Sequence, residues 1–287
     1  MIPIGTTRLT CLLGDPVSHS ISPKMHNTAF EALGLDFSYL AFKISENEIE
    51  KAVEALKLLN CRGFNLTMPL KHCIIPLLDE ISEASRLSNA VNTVVIENGK
   101  LIGHTTDGIG FIDALKDYDF EVSKKTITML GAGGAAQSII TQAAIDGAKQ
   151  IYIFKRKNAS FDNVVSYAQN VSASTKCKID VIDMNDSAML KECLSNSDLL
   201  INGTNVGMGD DNTSLVPKEY FHKNLFVADV IYHPAKTKLL CEAEEAGCQI
   251  MNGKYMLLYQ GAAAFKIWTG QDMPINLIKN ECFKEEI

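Results

Sequence analysis

The sequence predicts an α/β fold in two domains, and three observations carry that prediction. Strand-like and helix-like segments alternate through the first part of the chain, the pattern of a mostly parallel, doubly wound sheet. Further on, a short β-branched run leads through a glycine-rich loop into a helical pattern and then a second apolar run. The chain's 287 residues leave room for both halves.

Composition narrows the class. Hydrophobic residues make up 46% and charged residues 21%, the balance of an ordinary globular protein. A net charge of −7 and a pI near 5.4 argue against a nucleic-acid partner. The eight cysteines are scattered with no C-x-x-C pair, so neither a zinc site nor a disulfide scaffold is expected, and no metal is assigned. Such usage fits a reducing cytoplasm. The apolar run before Gly14 is too short for a signal peptide core, and no run approaches a membrane span.

Residues 8–13 read as the first strand. The loop that follows, GDPVSHSISPKMHN, crowds Ser18, His19, Ser20 and Ser22 at a strand end, where hydroxyls can bond a polyol or a carboxylate. The serines could equally be helix caps, and Ser22 before Pro23 has the signature of an N-cap with proline at N1. His19 by itself reads as structural. The helix runs through Phe30 and Leu33 to Gly34, and residues 37–44 form a second strand. Ser45 and Glu48 make a capping box for a helix that turns Ile49, Ala52, Val53, Leu56 and Leu59 inward.

Residues 61–68 are the third strand, ending in GFNLTMPLK. Asn65 and Thr67, two apart, share a face at the strand's carboxyl end, where open α/β sheets bind ligands. Pro69 ends the strand and Lys71 begins the next helix; taken alone, Lys71 is a surface lysine. Residues 90–104 form a hairpin opened by Asn92 and Thr93 and turned at Asn98-Gly99. Asp107 then precedes a helix with Phe111, Ala114, Leu115 and Tyr118 on one face, so capping is its plainest role. This helix carries the chain into the second domain.

That domain opens on the strand at residues 126–130 and the loop G-x-G-x-x-A at Gly131, Gly133 and Ala136. The next helix turns Ile139, Ile140, Ala143 and Ala144 to one side and stops at Gly147; residues 150–154 are the second strand. This is the βαβ unit of a Rossmann dinucleotide-binding domain. Gly131 permits the tight turn, and Gly133 lets a pyrophosphate approach the helix's first N–H groups. The second strand ends in Lys155, Arg156, Lys157 and Asn158, with no acid for a ribose 2′-hydroxyl. Basic side chains there suit a 2′-phosphate, which favours NADP over NAD; the alternative is a solvated basic turn.

Strands follow at residues 178–182, 198–202, 225–232 and 248–251. The second of them ends in GTNVGM, a small-residue loop suited to close approach by a cofactor. Residues 237–246 form a helix with Leu239, Leu240, Ala243 and Ala246 inward, closed by Gly247. From Gly253 the chain is helical again.

With these motifs in place, the chain resembles the shikimate dehydrogenase family, including relatives that also oxidise quinate. The resemblance spans nearly the whole chain: G-x-P-x-x-H-S-x-S-P-x-x-H-N at residues 14–27, G-x-N-x-T-x-P-x-K at 63–71, A-x-N-T with G-x-x-T-D-G at 90–93 and 103–108, G-A-G-G-A at 131–135, and G-x-x-M-L-x-x-Q-G at 253–261. It implies a substrate-binding catalytic domain of residues 1–106 and 254–287, a Rossmann domain of residues 107–253, and a cleft between them. Ser20 and Ser22 would bind the substrate carboxylate, and Asn65, Thr67, Asn92 and Gln260 the ring hydroxyls; without the resemblance Gln260 is a solvated glutamine. Lys71 and Asp107 would be the catalytic pair. Gly131, Ala132, Gly133, Gly134, Ala135 and Ala136 would bind pyrophosphate, and Lys155, Arg156 and Lys157 the adenosine ribose end. Thr204, Val230, Tyr232, Gly253 and Met256 would line the nicotinamide side.

The activity so implied is reversible, NADP-dependent reduction of 3-dehydroshikimate to shikimate, with quinate and NAD as the alternative substrate and cofactor. A non-catalytic binding relative is the rival of a different class; intact Lys71, Asp107 and glycine loop speak against it. The expected protein is a cytoplasmic monomer or homodimer with a small-molecule substrate. Two departures stand out. Thr105 occupies the position where the family usually has Asn, which leaves open how the loop before Asp107 is tied down. The turn Lys155-Arg156-Lys157 replaces the Asn-Arg-Thr of the NADP-dependent branch, and Asn158 stands near where the dual-cofactor branch often carries an acid.

Overall fold

The computed structural model describes residues 2–283. The chain divides into two compact units, one of Met1–Gly110 with Leu258–Ile287 and one of Phe111–Leu257.

The first unit begins with β1 (Arg8–Gly14), α1 (Ser22–Ala32), β2 (Phe37–Lys43), α2 (Ile49–Leu58), β3 (Gly63–Leu66), the four-residue α3 (Leu70–Cys73), the short β4 (Glu80–Ile81) and α4 (Glu83–Ser88). The hairpin β5 (Thr93–Glu97) and β6 (Lys100–His104) follows, then α5 (Asp107–Lys116). The sheet order is β2-β1-β3-β5-β6-β4. It is mixed rather than parallel throughout: β2, β1 and β3 run parallel, whereas β5 is antiparallel to both β3 and β6. The reason is the Asn98-Gly99 turn, left-handed at both residues, since a two-residue turn can join only antiparallel strands.

Three local expectations are corrected. Ser22 does not cap α1. Ile21 holds that position in a helical conformation, and the hydroxyl of Ser20 accepts from Ser22 N at 3.2 Å, so the serine two residues earlier ties the entry. Leu59 does not join the core and is 65% exposed. Helix α2 ends at Leu58 and Asn60 turns left-handed, which breaks the period that would have carried Leu59 inward. The third strand is shorter than expected and leaves Thr67 outside it, although Thr67 N still donates to Leu13 O. The Ser45–Glu48 capping box is present, on a single 3₁₀ turn ahead of α2.

The second unit contains β7 (Thr126–Leu130), α6 (Gly134–Ile145), β8 (Gln150–Lys155), α7 (Phe161–Ser174), β9 (Lys178–Asp183), α8 (Ser187–Ser195), β10 (Leu199–Asn202), β11 (Phe226–Asp229), α9 (Lys238–Glu245) and β12 (Gln249–Met251). Its sheet is parallel throughout, in the order β12-β11-β10-β7-β8-β9. The strand order reverses at β7, which makes the carboxyl ends of β7 and β10 the ligand crevice of a Rossmann-like sheet. Strand β11 stops at Asp229, so Val230 and Tyr232 lie in the loop beyond it rather than on the strand. Helices α7 and α8 have no counterpart in the sequence reading. Each is made of mixed polar residues with a narrow buried stripe: Val164, Ala168 and Val171 in one, Leu190, Cys193 and Leu194 in the other.

The chain closes with α10 (Lys254–Thr269), whose larger part belongs to the first unit, and α11 (Ile275–Cys282). In that unit Phe265 and Trp268 pack around His26, Phe30 and Tyr39, and Trp268 Nε1 donates to Val94 O at 3.0 Å. No helix among the described residues is long and apolar enough to cross a membrane.

Candidate active site

In the first unit, β3 and β5 pair antiparallel with Asn65 opposite Thr93, which sets the polar residues of two motifs side by side. Asn65 Nδ2 donates to Thr93 Oγ1 (2.9 Å) and to Asn92 O (3.2 Å). Asn92 Nδ2 donates to Asp107 Oδ1 (2.9 Å) and Thr106 Oγ1 (3.0 Å), with Gln260 Oε1 at 3.5 Å. The backbone N–H of Thr106 donates to Asn92 Oδ1 at 2.7 Å. Thr106 with Asn92 thus supplies a tie for the loop before Asp107.

Asp107 is held at both oxygens. Lys71 Nζ donates to Oδ2 at 2.5 Å while Asn92 occupies Oδ1, so the carboxylate cannot turn away from the lysine. Lys71 is itself placed from both ends: its carbonyl accepts from Val91 N (3.0 Å), which pins α3 to the start of the hairpin. The Lys71 side chain is 25% exposed and that of Asp107 10%. An ammonium has three N–H donors, and only one is needed for Asp107. The pair can thus present a proton donor to a ligand oxygen while the carboxylate keeps it aimed.

The sequence-selected residues Ser20, Ser22, Asn65, Lys71, Asn92, Asp107 and Gln260 all lie in this unit. Asn65 and Asn92 are largely engaged by their neighbours, while Thr67 and Gln260 are half-buried. Gln260 sits where α10 crosses α5: a Cβ on Gly110 would collide with the Gln260 backbone, so glycine is required for the crossing. Ser18 and His19 are exposed.

In the second unit the loop from Gly131 meets the loop from Gly203. Gly131 is left-handed at φ +89°, and a Cβ there would lie 2.7 Å from Thr204 Cγ2. Above Gly133 and Gly134, by contrast, a Cβ would meet no atom within 4 Å. That open cradle lies at the N-terminus of α6, where the first N–H groups lack an i−4 carbonyl. These residues fit a pyrophosphate. Lys155 Nζ bonds Asn158 Oδ1 (3.1 Å), leaving Arg156 and Lys157 as the exposed cations of the turn.

Sequence reasoning missed the acid that builds the Thr204 loop. Asp229 is fully buried and accepts from Asn202 Nδ2 (3.1 Å), Thr237 Oγ1 (2.8 Å) and Ile231 N (2.9 Å). Asn202 Oδ1 in turn accepts from Thr204 Oγ1 at 2.7 Å. Burial pushes the Asp229 carboxyl up from the usual range, and these donors oppose the shift. An acid closing the apolar run LFVAD was the available signal. Gly253 has a packing role: a Cβ would run into the Val230 carbonyl. Met256 is buried and Tyr232 is 59% exposed. Among the described residues no group of three His, Cys, Asp or Glu side chains is placed to hold a metal ion.

A parallel dinucleotide-type sheet in one unit and an aimed lysine–aspartate pair in the other define a two-unit α/β dehydrogenase class. The chain belongs to the shikimate dehydrogenase family. Residues 12–94 match the shikimate dehydrogenase substrate binding domain and residues 255–282 the shikimate 5′-dehydrogenase C-terminal domain. Shikimate dehydrogenase (NADP(+)) of Alkaliphilus metalliredigens is 48% identical over 96% of both chains. The protein of the same description from Listeria innocua is 44% identical over 97% of both. The crystal structure of shikimate 5-dehydrogenase from Listeria monocytogenes in complex with shikimate and NAD matches with a TM-score of 0.94 at 43% identity, covering 97% of each chain.

Proposed function

We propose that this chain is an NADP-dependent shikimate dehydrogenase that interconverts 3-dehydroshikimate and shikimate. The observation that carries the reading is the Lys71–Asp107 pair at 2.5 Å, locked by Asn92. The unit of residues 1–110 and 258–287 is the substrate-binding one, and the unit of residues 111–257 binds the dinucleotide.

When bound, NADPH supplies the hydride that the ketone carbon requires. Lys71 donates a proton from Nζ to the carbonyl oxygen, and in the reverse direction takes it from the hydroxyl. Asp107 orients the ammonium. Ser20 and Ser22 take the substrate carboxylate; Thr67, Gln260, Asn65 and Asn92 take the ring hydroxyls, Asn65 through the second lone pair of its Oδ1 and Asn92 by exchanging one of its present partners. Gly131 to Ala136 cradle the pyrophosphate, and Arg156 with Lys157 the 2′-phosphate. Thr204, Val230, Tyr232, Gly253 and Met256 form the nicotinamide side. The free thiols of all eight cysteines suit a reducing cytoplasm.

The second reading, a quinate/shikimate dehydrogenase using NAD or both cofactors, is favoured on its cofactor side by one observation: the Listeria monocytogenes relative was crystallised with shikimate and NAD. Initial rates with shikimate and quinate, each with NADP⁺ and NAD⁺, decide. Turnover confined to shikimate with NADP⁺ is expected. Comparable rates on quinate or with NAD⁺ establish the second reading, and no turnover with any pair removes both.

A further inference from the structure

His26 and Asn27 take no part in the proposed chemistry, and both converge on Tyr39. Asn27 clamps the Tyr39 backbone with both ends of its amide: Nδ2 donates to Tyr39 O (2.9 Å) and Oδ1 accepts from Tyr39 N (2.8 Å). On an edge strand these groups would otherwise face solvent or a neighbour. The imidazole of His26 stacks on the Tyr39 ring, centroids 4.4 Å apart and planes 13° from parallel, and Trp268 lies 6.0 Å away. Tyr39 is wholly buried. A backbone clamp and a stacked face together hold the phenol oxygen at one point.

At that point the hydroxyl donates to Asn65 Oδ1 at 2.8 Å. One buried oxygen thus braces a candidate hydroxyl contact on β3. It also decides which way the Asn65 amide faces. With Oδ1 turned to the phenol, Nδ2 must face Thr93 and Asn92. Without the donor, the amide is free to flip and present the wrong group.

We propose that Tyr39 is a positioning residue for the substrate, fixing the orientation of the Asn65 amide. The proposal rests on the shikimate reading. Because the phenol touches neither Lys71 nor Asp107, it acts on binding rather than on proton transfer.

The test is Tyr39→Phe in the full chain, which keeps the ring and removes only the oxygen. The KM for shikimate should rise about tenfold, the scale of one lost buried hydrogen bond, while kcat and the KM for NADP⁺ stay within about twofold. Asn65→Ala should add less to the shikimate KM in the Tyr39→Phe background than in the wild type, since both act through one amide. Tyr167→Phe is the control, because it removes part-buried phenol bonds, to Gln137 O and Thr141 Oγ1, in the other unit. An unchanged shikimate KM, or a loss spread equally over both KM values as in the control, overturns the proposal. Should Tyr39→Phe fail to fold, Asn27→Ala, which frees the backbone and keeps the phenol, must show the same KM split. Wild-type protein with no shikimate turnover removes the underlying reading instead.

Discussion

His26 is wholly buried, and among the described residues neither ring nitrogen has a hydrogen-bond partner. Burial lowers its pKa from 6.5 to about 3. The folded state therefore holds the neutral ring while the unfolded chain takes up a proton below pH 6.5. Stability from this group is intact above 6.5 and falls as the pH drops toward 3, by on the order of 4–5 kcal/mol in total. His26→Phe keeps the stack and removes the titration. Its unfolding free energy should fall less steeply than the wild type's between pH 6.5 and 4.5, as read by denaturant titration; parallel slopes would show that His26 is not the acid-labile group. Lys71 carries the other residue-scale prediction. Lys71→Ala should lower kcat by about 10²- to 10⁴-fold with the circular dichroism spectrum unchanged, and a loss under tenfold would mean that another group supplies the proton. Both residues stood in recognisable motifs, yet only Lys71 had a chemistry legible there. The role of His26 needed its neighbours Tyr39 and Trp268, which come from distant parts of the chain.

At the scale of elements, the strand–loop–helix of β7 and α6 was legible because each device is local: a β-branched run, a glycine needing positive φ, an apolar helical face. The basic turn after β8 belongs to this scale. Asn158 draws Lys155 back toward the turn, so Arg156 is the better-placed partner for a 2′-phosphate. Arg156→Ala should raise the Kd for NADP⁺ at least tenfold and leave that for NAD⁺ within about twofold; equal losses, measured by fluorescence titration, would remove it from cofactor selection. Helices α7 and α8 escaped the sequence reading because their buried stripes are narrow and set among Ser, Asn and Lys, so the periodicity is weak. The C-terminal bounds of β3 and β11 were overextended for the opposite reason. Apolar residues continue past the last ladder bond, and pairing with a partner strand, not composition, ends a strand.

At the scale of the whole molecule, ligand binding offers a check on which unit does what. Shikimate at 100 times its Kd should stabilise the protein by about 2.7 kcal/mol, a rise of several degrees in the unfolding temperature. Ser22→Ala should diminish that rise and leave the one produced by NADP⁺ intact. A variant that loses both equally would contradict the assignment of substrate to the first unit. The sequence by itself determined the α/β class, the order of most strands, the glycine loop and the motif residues, because propensity, periodicity and turn chemistry act over a few neighbours. Only the tertiary structure decided that Asn92 locks Asp107 onto Lys71, that Asp229 supports the Thr204 loop, and that Tyr39 sets the Asn65 amide. Each of these contacts joins residues from separate elements, and a side chain's hydrogen-bond partner is set by which elements pack together, a property no local stretch of sequence contains.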